Sequence, residues 1–162
     1  MTGQITCKGP VFIMFMGLPG AGKSTLRKEM PPSFLQLSTD DIIENVAKWQ
    51  GRTYSEAFSD EIGPASETVN LAFAQAMKDG TSVIWDQTNL TAKKRKKVLA
   101  HVPKGYCKIL IEVVCDEDTR RARVKAREPE KTIPTHIDLS MLRSREEPSY
   151  DEGWDEIWVR RT

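Results

Sequence analysis

The sequence predicts an α/β fold in which a mostly parallel sheet of about five strands carries helices on both faces. Short apolar runs rich in branched and aromatic residues alternate with helical patterns along the chain. Such alternation is typical of strand–helix–strand units, which form parallel sheets. The length of 162 residues predicts one domain, residues 1–162.

Five runs have the composition of buried strands, and six segments have a helical pattern. The expected strands are residues 11–16, 34–37, 82–85, 109–114 and the shorter run 157–159. The expected helices are residues 22–30, 40–49, 64–78, 91–101, 116–127 and 134–145. Gly80 is the expected C-cap of the third helix. Ligands of such sheets bind at the carboxyl ends of the strands.

Composition and charge limit the class of protein. The net charge of +1 gives no overall attraction to nucleic acid, so a nucleic-acid-binding surface must be local. No apolar run reaches the roughly 18 residues of a membrane span, and the first residues lack the pattern of a signal peptide. Cys7, Cys107 and Cys115 are odd in number and lack metal-ligand spacing. They predict reduced thiols and a cytoplasmic protein with no membrane partner.

The segment GLPGAGKS, which begins at Gly17, matches the pattern G-x-x-x-x-G-K-S/T at every fixed position. It lies between the first strand and the first helix, and a chance match has odds on the order of half a percent. Its backbone N–H groups would form an anion nest, Lys23 would reach the β- and γ-phosphates, and Ser24 would ligate Mg²⁺. The sequence therefore predicts a site for ATP or another NTP at Gly17, Pro19, Gly20, Ala21, Gly22, Lys23, Ser24 and Thr25.

Other features separate a kinase from a GTPase switch or a motor ATPase. A GTPase needs a guanine-reading N-K-x-D motif, which the sequence lacks. A motor ATPase is usually larger and carries a second catalytic glutamate after its Walker-B acid. The small chain and its basic helix at residues 116–127 favour a kinase.

The basic helix carries Arg120, Arg123 and Arg127 within a stripe of about 60°. Pairing with an acid four residues earlier is the ordinary role of such arginines, and Asp116 is placed to pair with Arg120. Arg123 has no acid at that position. Cations left over on one face are what a lid needs to neutralise a transferring phosphoryl group. We therefore expect Arg123 and Arg127 to contact the nucleotide.

A pair of carboxylates, Asp40 and Asp41, follows the second strand. A kinase needs a carboxylate within hydrogen-bond reach of the acceptor hydroxyl to accept its proton. The alternative is helix capping by Thr39 or Asp40, and one carboxylate can cap while the other acts. The sequence thus predicts a general base at Asp40 or Asp41.

Five motifs in order resemble the P-loop kinases related to the kinase domain of phage polynucleotide 5′-hydroxyl kinase. Besides the phosphate loop, they are Thr39-Asp40-Asp41, Asp86-Gln87-Thr88-Asn89, the lid Arg123-Val124-Lys125-Ala126-Arg127 and a stretch from Glu146 to Gly153 that matches E-x-P-x-x-x-E-G. The resemblance implies a three-layer P-loop kinase fold, Asp40 as general base and Arg123 at the transferred phosphate. It places Asp86 near the metal or the acceptor. Thr39 and Val124 depart from the family's arginine and asparagine.

Two further segments bear on the acceptor. Lys93 and Lys94 lie at the start of a helix, where a cation opposes the dipole at about 0.3–1 kcal/mol each. A nucleic-acid backbone bound there would offset that cost, and a solvated face is the alternative. Arg52, Tyr54 and Phe58 are able to stack on a base or to pack in a loop and core.

The sequence thus predicts an ATP- and Mg²⁺-dependent kinase acting on a hydroxyl of nucleic acid, DNA first. The hydroxyl is a polynucleotide 5′-OH or the hydroxymethyl group of a modified pyrimidine such as 5-hydroxymethyluracil, and a phage-encoded protein in a bacterial host fits the resemblance. A small-molecule kinase for a nucleoside, sugar or antibiotic is the alternative, and a nucleotide-dependent binding module is the non-enzymatic one. The expected catalytic residues are Lys23, Asp40 and Arg123. The expected acceptor-binding residues are Asp41, Asp86, Asn89, Arg52, Tyr54, Lys93 and Lys94.

Overall fold

The computed structural model describes residues 4–162 as a five-stranded parallel sheet flanked by helices. In chain order the elements are β1 (Val11–Met16), α1 (Lys23–Glu29), β2 (Leu35–Leu37), α2 (Thr39–Gln50), α3 (Tyr54–Asp79), β3 (Val83–Asp86), α4 (Ala92–Leu99), β4 (Cys107–Val114), α5 (Glu117–Lys125), α6 (Thr135–Ser144), a 3₁₀ turn (Tyr150–Glu152) and β5 (Glu156–Arg161). The predicted fold class is confirmed. Apart from α3, every predicted element is present with its ends within two residues of the prediction.

The sheet has the strand order β2-β3-β1-β4-β5, which puts β1 at its centre. Phe12 of β1 pairs with Val83 of β3 on one side, and Ile13 pairs with Ile109 of β4 on the other. Because all strands are parallel, the segments that follow β1, β2 and β3 meet at one edge. This edge therefore holds the phosphate loop, the Asp40–Asp41 pair and the end of β3.

Apolar side chains cover both faces of the sheet, as expected for parallel strands that are buried on both sides. On one face Phe12, Phe73 and Trp85 belong to a core shared with α3 and α4. On the other face Ile13 and Leu26 belong to a core shared with α1. Successive residues of β1 point to opposite faces, so a single strand supplies both cores. No helix within residues 4–162 is long and apolar enough to cross a membrane.

Helix α3 begins at Tyr54, ten residues before the predicted start at Pro64. Thr53 and Glu56 form a reciprocal capping box that fixes this earlier start. Pro64 lies inside the helix and costs it one backbone donor without ending it. Tyr54 is therefore a helical residue and not part of a loop. Gly80 is the C-cap as predicted, with a left-handed φ of 68°.

The prediction of three reduced cysteines is wrong, because Cys7 and Cys107 form a disulfide. Cys107 is the first residue of β4, the neighbour of β1, and Cys7 packs into the core of that sheet face just before β1. The pairing joins residues 100 positions apart, so only the strand order brings the two sulfurs together. Cys115 is a free thiol.

Candidate active site

The phosphate loop connects β1 to α1 and packs closely against β4 and α5. A Cβ on Gly17 would lie 2.7 Å from the carbonyl oxygen of Val113. Gly20 has a φ of 81°, and a Cβ there would lie 2.7 Å from the carbonyl oxygen of Arg120. Both clashes involve backbone atoms, which do not move aside easily. Glycine is therefore required at both positions by packing as well as by the turn.

Lys23, the first residue of α1, folds over the loop that precedes it. Its Nζ donates to the carbonyl oxygens of Gly17 (2.7 Å) and Leu18 (3.1 Å). Burial, with smaller contributions from the charges of Arg127 and Lys131, lowers the pKa of Lys23 to about 8 against the opposing effect of nearby carboxylates. The amine is thus held by neutral oxygens, which a phosphate oxygen can replace.

Arg120 of α5 is a buried structural arginine and not part of an open lid. Its guanidinium forms ion pairs with Glu117 and Asp138 at 2.7 Å each and donates to the carbonyl oxygen of Pro19 at 3.1 Å. The hydrogen bonds that Arg120 donates to Glu117, foremost, and to Asp138 raise the pKa of Arg120 above its usual range. The expected pairing of Asp116 with Arg120 is wrong, since Asp116 caps the N-terminus of α5. Arg120 instead joins α5, α6 and the phosphate loop.

Arg123 and Arg127, the next two arginines of the stripe, form no ion pair with a carboxylate in the part of the chain that the structure describes. Arg123 donates to the carbonyl oxygen of Gly20 (3.3 Å) and to Oγ1 of Thr162 (2.9 Å). Arg127 is exposed and lies close enough to Lys23 to lower the pKa of that amine. Three cations therefore flank the loop where a nucleotide phosphate would lie: Lys23 of α1, Arg123 of α5 and Arg127 in the turn after α5.

Asp40 lies across the sheet edge from the loop and is held by two donors. The hydroxyl of Tyr54 donates to its Oδ1 at 2.8 Å, and Nζ of Lys131 donates to its Oδ2 at 2.6 Å. Burial alone would raise the pKa of Asp40, but Lys131 and Tyr54 together outweigh it and lower that pKa. Helix α2 is capped by Ser38 and not by Thr39 or Asp40 as the capping alternative has it. The Asp40 carboxylate is thus ionised at neutral pH and is not engaged as a cap.

Arg27 bridges the other two carboxylates at this edge. It forms ion pairs with Asp41 at 2.8 Å and with Asp86, the last residue of β3, at 3.0 Å. Burial raises the pKa of Asp86, although Lys23 and Arg27 oppose it. One usable sequence signal for Arg27 is its position four residues after Lys23, on the same helix face. Lys131 carries no such signal, because it lies 91 residues from Asp40 and outside any motif.

The residues present fit a magnesium ion that is bound together with a nucleotide. No group of three or more His, Cys, Asp or Glu side chains in residues 4–162 is arranged to hold a metal by itself. Mg²⁺ usually takes only one or two protein ligands and completes its shell with phosphate oxygens and water. Ser24 is exposed in the first turn of α1, so its hydroxyl is free to be such a ligand.

Comparison with known proteins agrees with this geometry. The family model described as an AAA domain matches residues 12–148, which include the phosphate loop and the predicted lid. The chain belongs to the AAA_33 family. It is therefore a P-loop kinase, a phosphotransferase that binds a nucleotide such as ATP. No curated protein sequence matches the chain.

Solved structures share the fold of this AAA_33 kinase at low sequence identity. A candidate kinase from Chloroflexus aurantiacus has a TM-score of 0.71 and 20% identity, over 96% of this chain and 89% of that one. The Pnkp1/Rnl/Hen1 RNA repair complex contains a chain with a TM-score of 0.63 and 17% identity, over 87% of this chain and 45% of that one. A sugar kinase from Janibacter has a TM-score of 0.62 and 18% identity, over 94% and 85%.

The final motif of the AAA_33 kinase anchors its basic helix α4. Arg95, from the middle of the lysine run, is fully buried and forms an ion pair with Glu152 at 2.6 Å. A carboxylate oxygen of Glu146 accepts a hydrogen bond from the backbone N–H of Ala92 at the start of α4. Thr91 caps the N-terminus of the same helix. The exposed lysines of α4 therefore lie on a helix that is held in place by Glu146 at its first turn and by the buried Arg95–Glu152 ion pair.

Besides Asp41 and Asp86, three more of the predicted acceptor contacts have internal partners in the AAA_33 kinase. Asn89 is buried, and its side-chain amide donates to the carbonyl oxygen of Phe15 at 2.6 Å. Tyr54 is buried as well, bonded to Asp40 and covered by Lys131, whose Nζ lies 4.0 Å from the ring centre. The packing alternative thus describes Tyr54, which does not present a free ring to a base. Arg52 pairs with Asp60 at 2.9 Å. Lys93 and Lys94 are exposed.

Proposed function

We propose that this kinase uses ATP and Mg²⁺ to phosphorylate a hydroxyl group on nucleic acid. The observation that carries the proposal is the position of an ionised carboxylate, Asp40, within electrostatic range of the phosphate-loop amine of Lys23. A donor site and an acceptor-side base thus share one edge of the sheet. Such a pairing is what in-line phosphoryl transfer requires.

In the proposed reaction Asp40 accepts the proton of the acceptor hydroxyl as its oxygen bonds to the γ-phosphorus. The bond from the γ-phosphorus to the β–γ bridging oxygen breaks, and ADP leaves. Lys23, Arg123 and Arg127 offset the negative charge that spreads over the transferring group. Mg²⁺, held by Ser24 and the nucleotide, would add charge neutralisation at the β- and γ-phosphates.

The two donors on Asp40 are compatible with its role as base. Tyr54 and Lys131 occupy different carboxylate oxygens, and each oxygen keeps a second lone pair for an acceptor hydroxyl. A carboxylate with a lowered pKa is a weak base, which suits a loose transition state in which the base mainly orients the nucleophile. Lys131 and Tyr54 are therefore positioning residues that fix the Asp40 carboxylate.

Nucleic acid is favoured as the acceptor by the charge next to the site. Helix α4 follows Asp86 within six residues and displays four exposed lysines, none of which forms an ion pair in the described part of the chain. The RNA repair complex among the structural neighbours supports the same class. A small-molecule acceptor is the second candidate, favoured by the net charge of +1 and by the likeness to a sugar kinase.

An acceptor panel with γ-³²P-labelled ATP tests the proposal. The panel contains plain DNA, DNA with hydroxymethylpyrimidines, RNA, nucleosides and sugars, each with wild-type protein and with Lys23→Ala as the inactive control. We expect label on an oligonucleotide, in the wild-type reaction only. Label on a nucleoside or sugar alone would establish the small-molecule kinase. ATP hydrolysis without any labelled acceptor would support a binding module instead.

A further inference from the structure

A groove of about 790 Å³ runs between α3 and α4 on the sheet face opposite α1. Phe73, Met77 and Trp85 line its apolar part, and Lys94, Lys97 and His101 are polar residues that line it. Its volume is in the range of small-molecule and cofactor sites. None of the residues assigned to the phosphate loop or the lid lines it.

The groove contains a hydrogen-bond donor without a partner. Among residues 4–162, Nε1 of Trp85 is the one buried side-chain nitrogen or oxygen atom that has no hydrogen-bond partner. Buried tryptophan N–H groups usually find an acceptor, because an unpaired donor loses its water without compensation. Trp85 lines the groove but its Nε1 is closed off from solvent, so an occupant with an acceptor oxygen or nitrogen satisfies this donor once the lining side chains shift.

The charges around the groove have one sign. Lys78, Lys94 and Lys97 line it, no lining residue is acidic, and none of these lysines forms an ion pair in the described part of the chain. Lys94 and Lys97 lie three residues apart on α4 and therefore share one face of the helix. The occupant is therefore expected to combine a flat apolar group with negative charge.

One end of the groove adjoins the candidate active site. Gln87 and Asn89 line this end, and Asp86 lies between Trp85 and Gln87 in the sequence. Because successive strand residues face opposite sides, Trp85 lines the groove while Asp86 faces Arg27 and Lys23. A strand whose hydroxyl reaches Asp40 thus has a short path to the groove around the end of β3.

We propose that this groove binds a base of the acceptor nucleic acid, with the strand's phosphates on Lys94 and Lys97. The base packs against Phe73, Met77 and Trp85, and a carbonyl oxygen or ring nitrogen accepts the Trp85 N–H. This inference rests on the proposed function and adds to it the place where the acceptor strand is held.

Trp85→Phe tests the donor, because it keeps an aromatic ring and removes only the N–H and part of the volume. The dissociation constant of a fluorescein-labelled oligonucleotide is measured by anisotropy. We expect roughly tenfold weaker binding, measured well below the melting temperature, which itself falls because Trp85 is a core residue and the smaller ring leaves a cavity. An unchanged dissociation constant would contradict the proposal.

Lys97→Ala and Lys96→Ala form a matched pair for the charge. The two lysines are adjacent on α4 and both exposed, but only Lys97 lines the groove. Lys97→Ala should lower the slope of log K against log salt by roughly 0.7–0.9, and Lys96→Ala should lower it less. Equal effects of the two variants would show general attraction and no strand in the groove.

Photocrosslinking of the wild-type protein keeps the test independent of any variant. An oligonucleotide that carries 4-thiothymidine is irradiated on the protein, and the adducts are mapped by mass spectrometry. We expect adducts on Trp85, Met77 or His101; adducts confined to other segments would overturn the proposal that the groove binds the strand.

Phosphorylation of the same oligonucleotide is measured in parallel. If it is phosphorylated while the groove results are negative, only the groove proposal fails; if it is neither bound nor phosphorylated, the proposed function fails as well.

Discussion

The donor and acceptor sides of the candidate site hold their charged groups in opposite ways. On the donor side Lys23 and Arg123 donate to backbone carbonyl and hydroxyl oxygens. On the acceptor side Asp40, Asp41 and Asp86 each have a cationic partner at 3.0 Å or less. Phosphates can therefore bind the donor cations without breaking an ion pair. The acceptor carboxylates are fixed in position and lose their orientation if a partner is removed.

The largest effect is expected at the donor side, from Lys23→Ala. The substitution removes the one cation that lies inside the loop, and loss of such a preorganised contact reduces kcat by about 10²–10³. We expect the upper end of that range, with an unchanged circular dichroism spectrum and melting curve. Steady-state rates within threefold of wild type would remove the loop from the mechanism.

On the acceptor side, Asp40→Asn should reduce kcat by about 10² and leave the dissociation constant of ATP nearly unchanged. The amide keeps the shape of the carboxylate but cannot accept the proton. ATP binding is unaffected because the base acts on the acceptor hydroxyl and not on the nucleotide. Asp41→Asn is the matched control, since Asp41 pairs with Arg27 and is expected to have the milder effect. If Asp41→Asn is crippling and Asp40→Asn is mild, the base is Asp41.

Arg120 and Arg123, both on α5, are expected to differ in role, the first stabilising the fold and the second acting in catalysis. Arg120→Ala leaves the largely buried Asp138 without a partner and Glu117 with only the exposed Arg121, so we expect a loss of about 3–5 kcal/mol in the free energy of unfolding. Arg123→Ala breaks only hydrogen bonds to neutral oxygens. It should lower kcat by about tenfold or more with little change in stability. Chemical denaturation and kinetics on both variants check this; equal destabilisation would refute the distinction.

The smallest expected effect is a pH dependence of nucleotide binding. With a pKa of about 8, roughly three quarters of the Lys23 amines are neutral at pH 8.5 in the free protein. A bound phosphate favours the charged amine, so ATP binding at this pH should take up part of a proton. Calorimetry in two buffers of different ionisation enthalpy measures the uptake. The Lys23→Arg variant, whose side chain stays charged, should show no proton uptake. Uptake equal to that of wild type in this variant would show that another group takes up the proton.

The sequence predicted the sheet and the loop because both depend on local patterns. Apolar runs of four to eight residues mark strands, and the fixed spacing of the glycines and Lys23 marks the loop. Helix α3 starts ten residues before the predicted start, at the Thr53–Glu56 capping box, because the apolar stripe that predicted the helix covers only its second half. That box was visible in the sequence as T-x-x-E.

The partners of the candidate base were beyond local pattern. Lys131 reaches Asp40 from a segment 91 residues away, and its role follows only from the folded arrangement of α2 and the segment after α5. The i, i+4 rule proposed Asp116 for Arg120, but capping of α5 engages Asp116, and Asp138 of α6 supplies a partner. The Cys7–Cys107 disulfide likewise depends on the order of the strands.

The salt dependence of acceptor KM tests most directly whether the acceptor is a nucleic-acid strand. KM is measured from low to moderate salt for an oligonucleotide and for the matching free nucleoside. The account predicts that oligonucleotide KM rises with salt by roughly 0.7–0.9 in log KM per log salt for each phosphate contacted, whereas nucleoside KM barely changes. A flat response for the oligonucleotide, with equal turnover of the free nucleoside, would contradict the account and leave a small-molecule kinase.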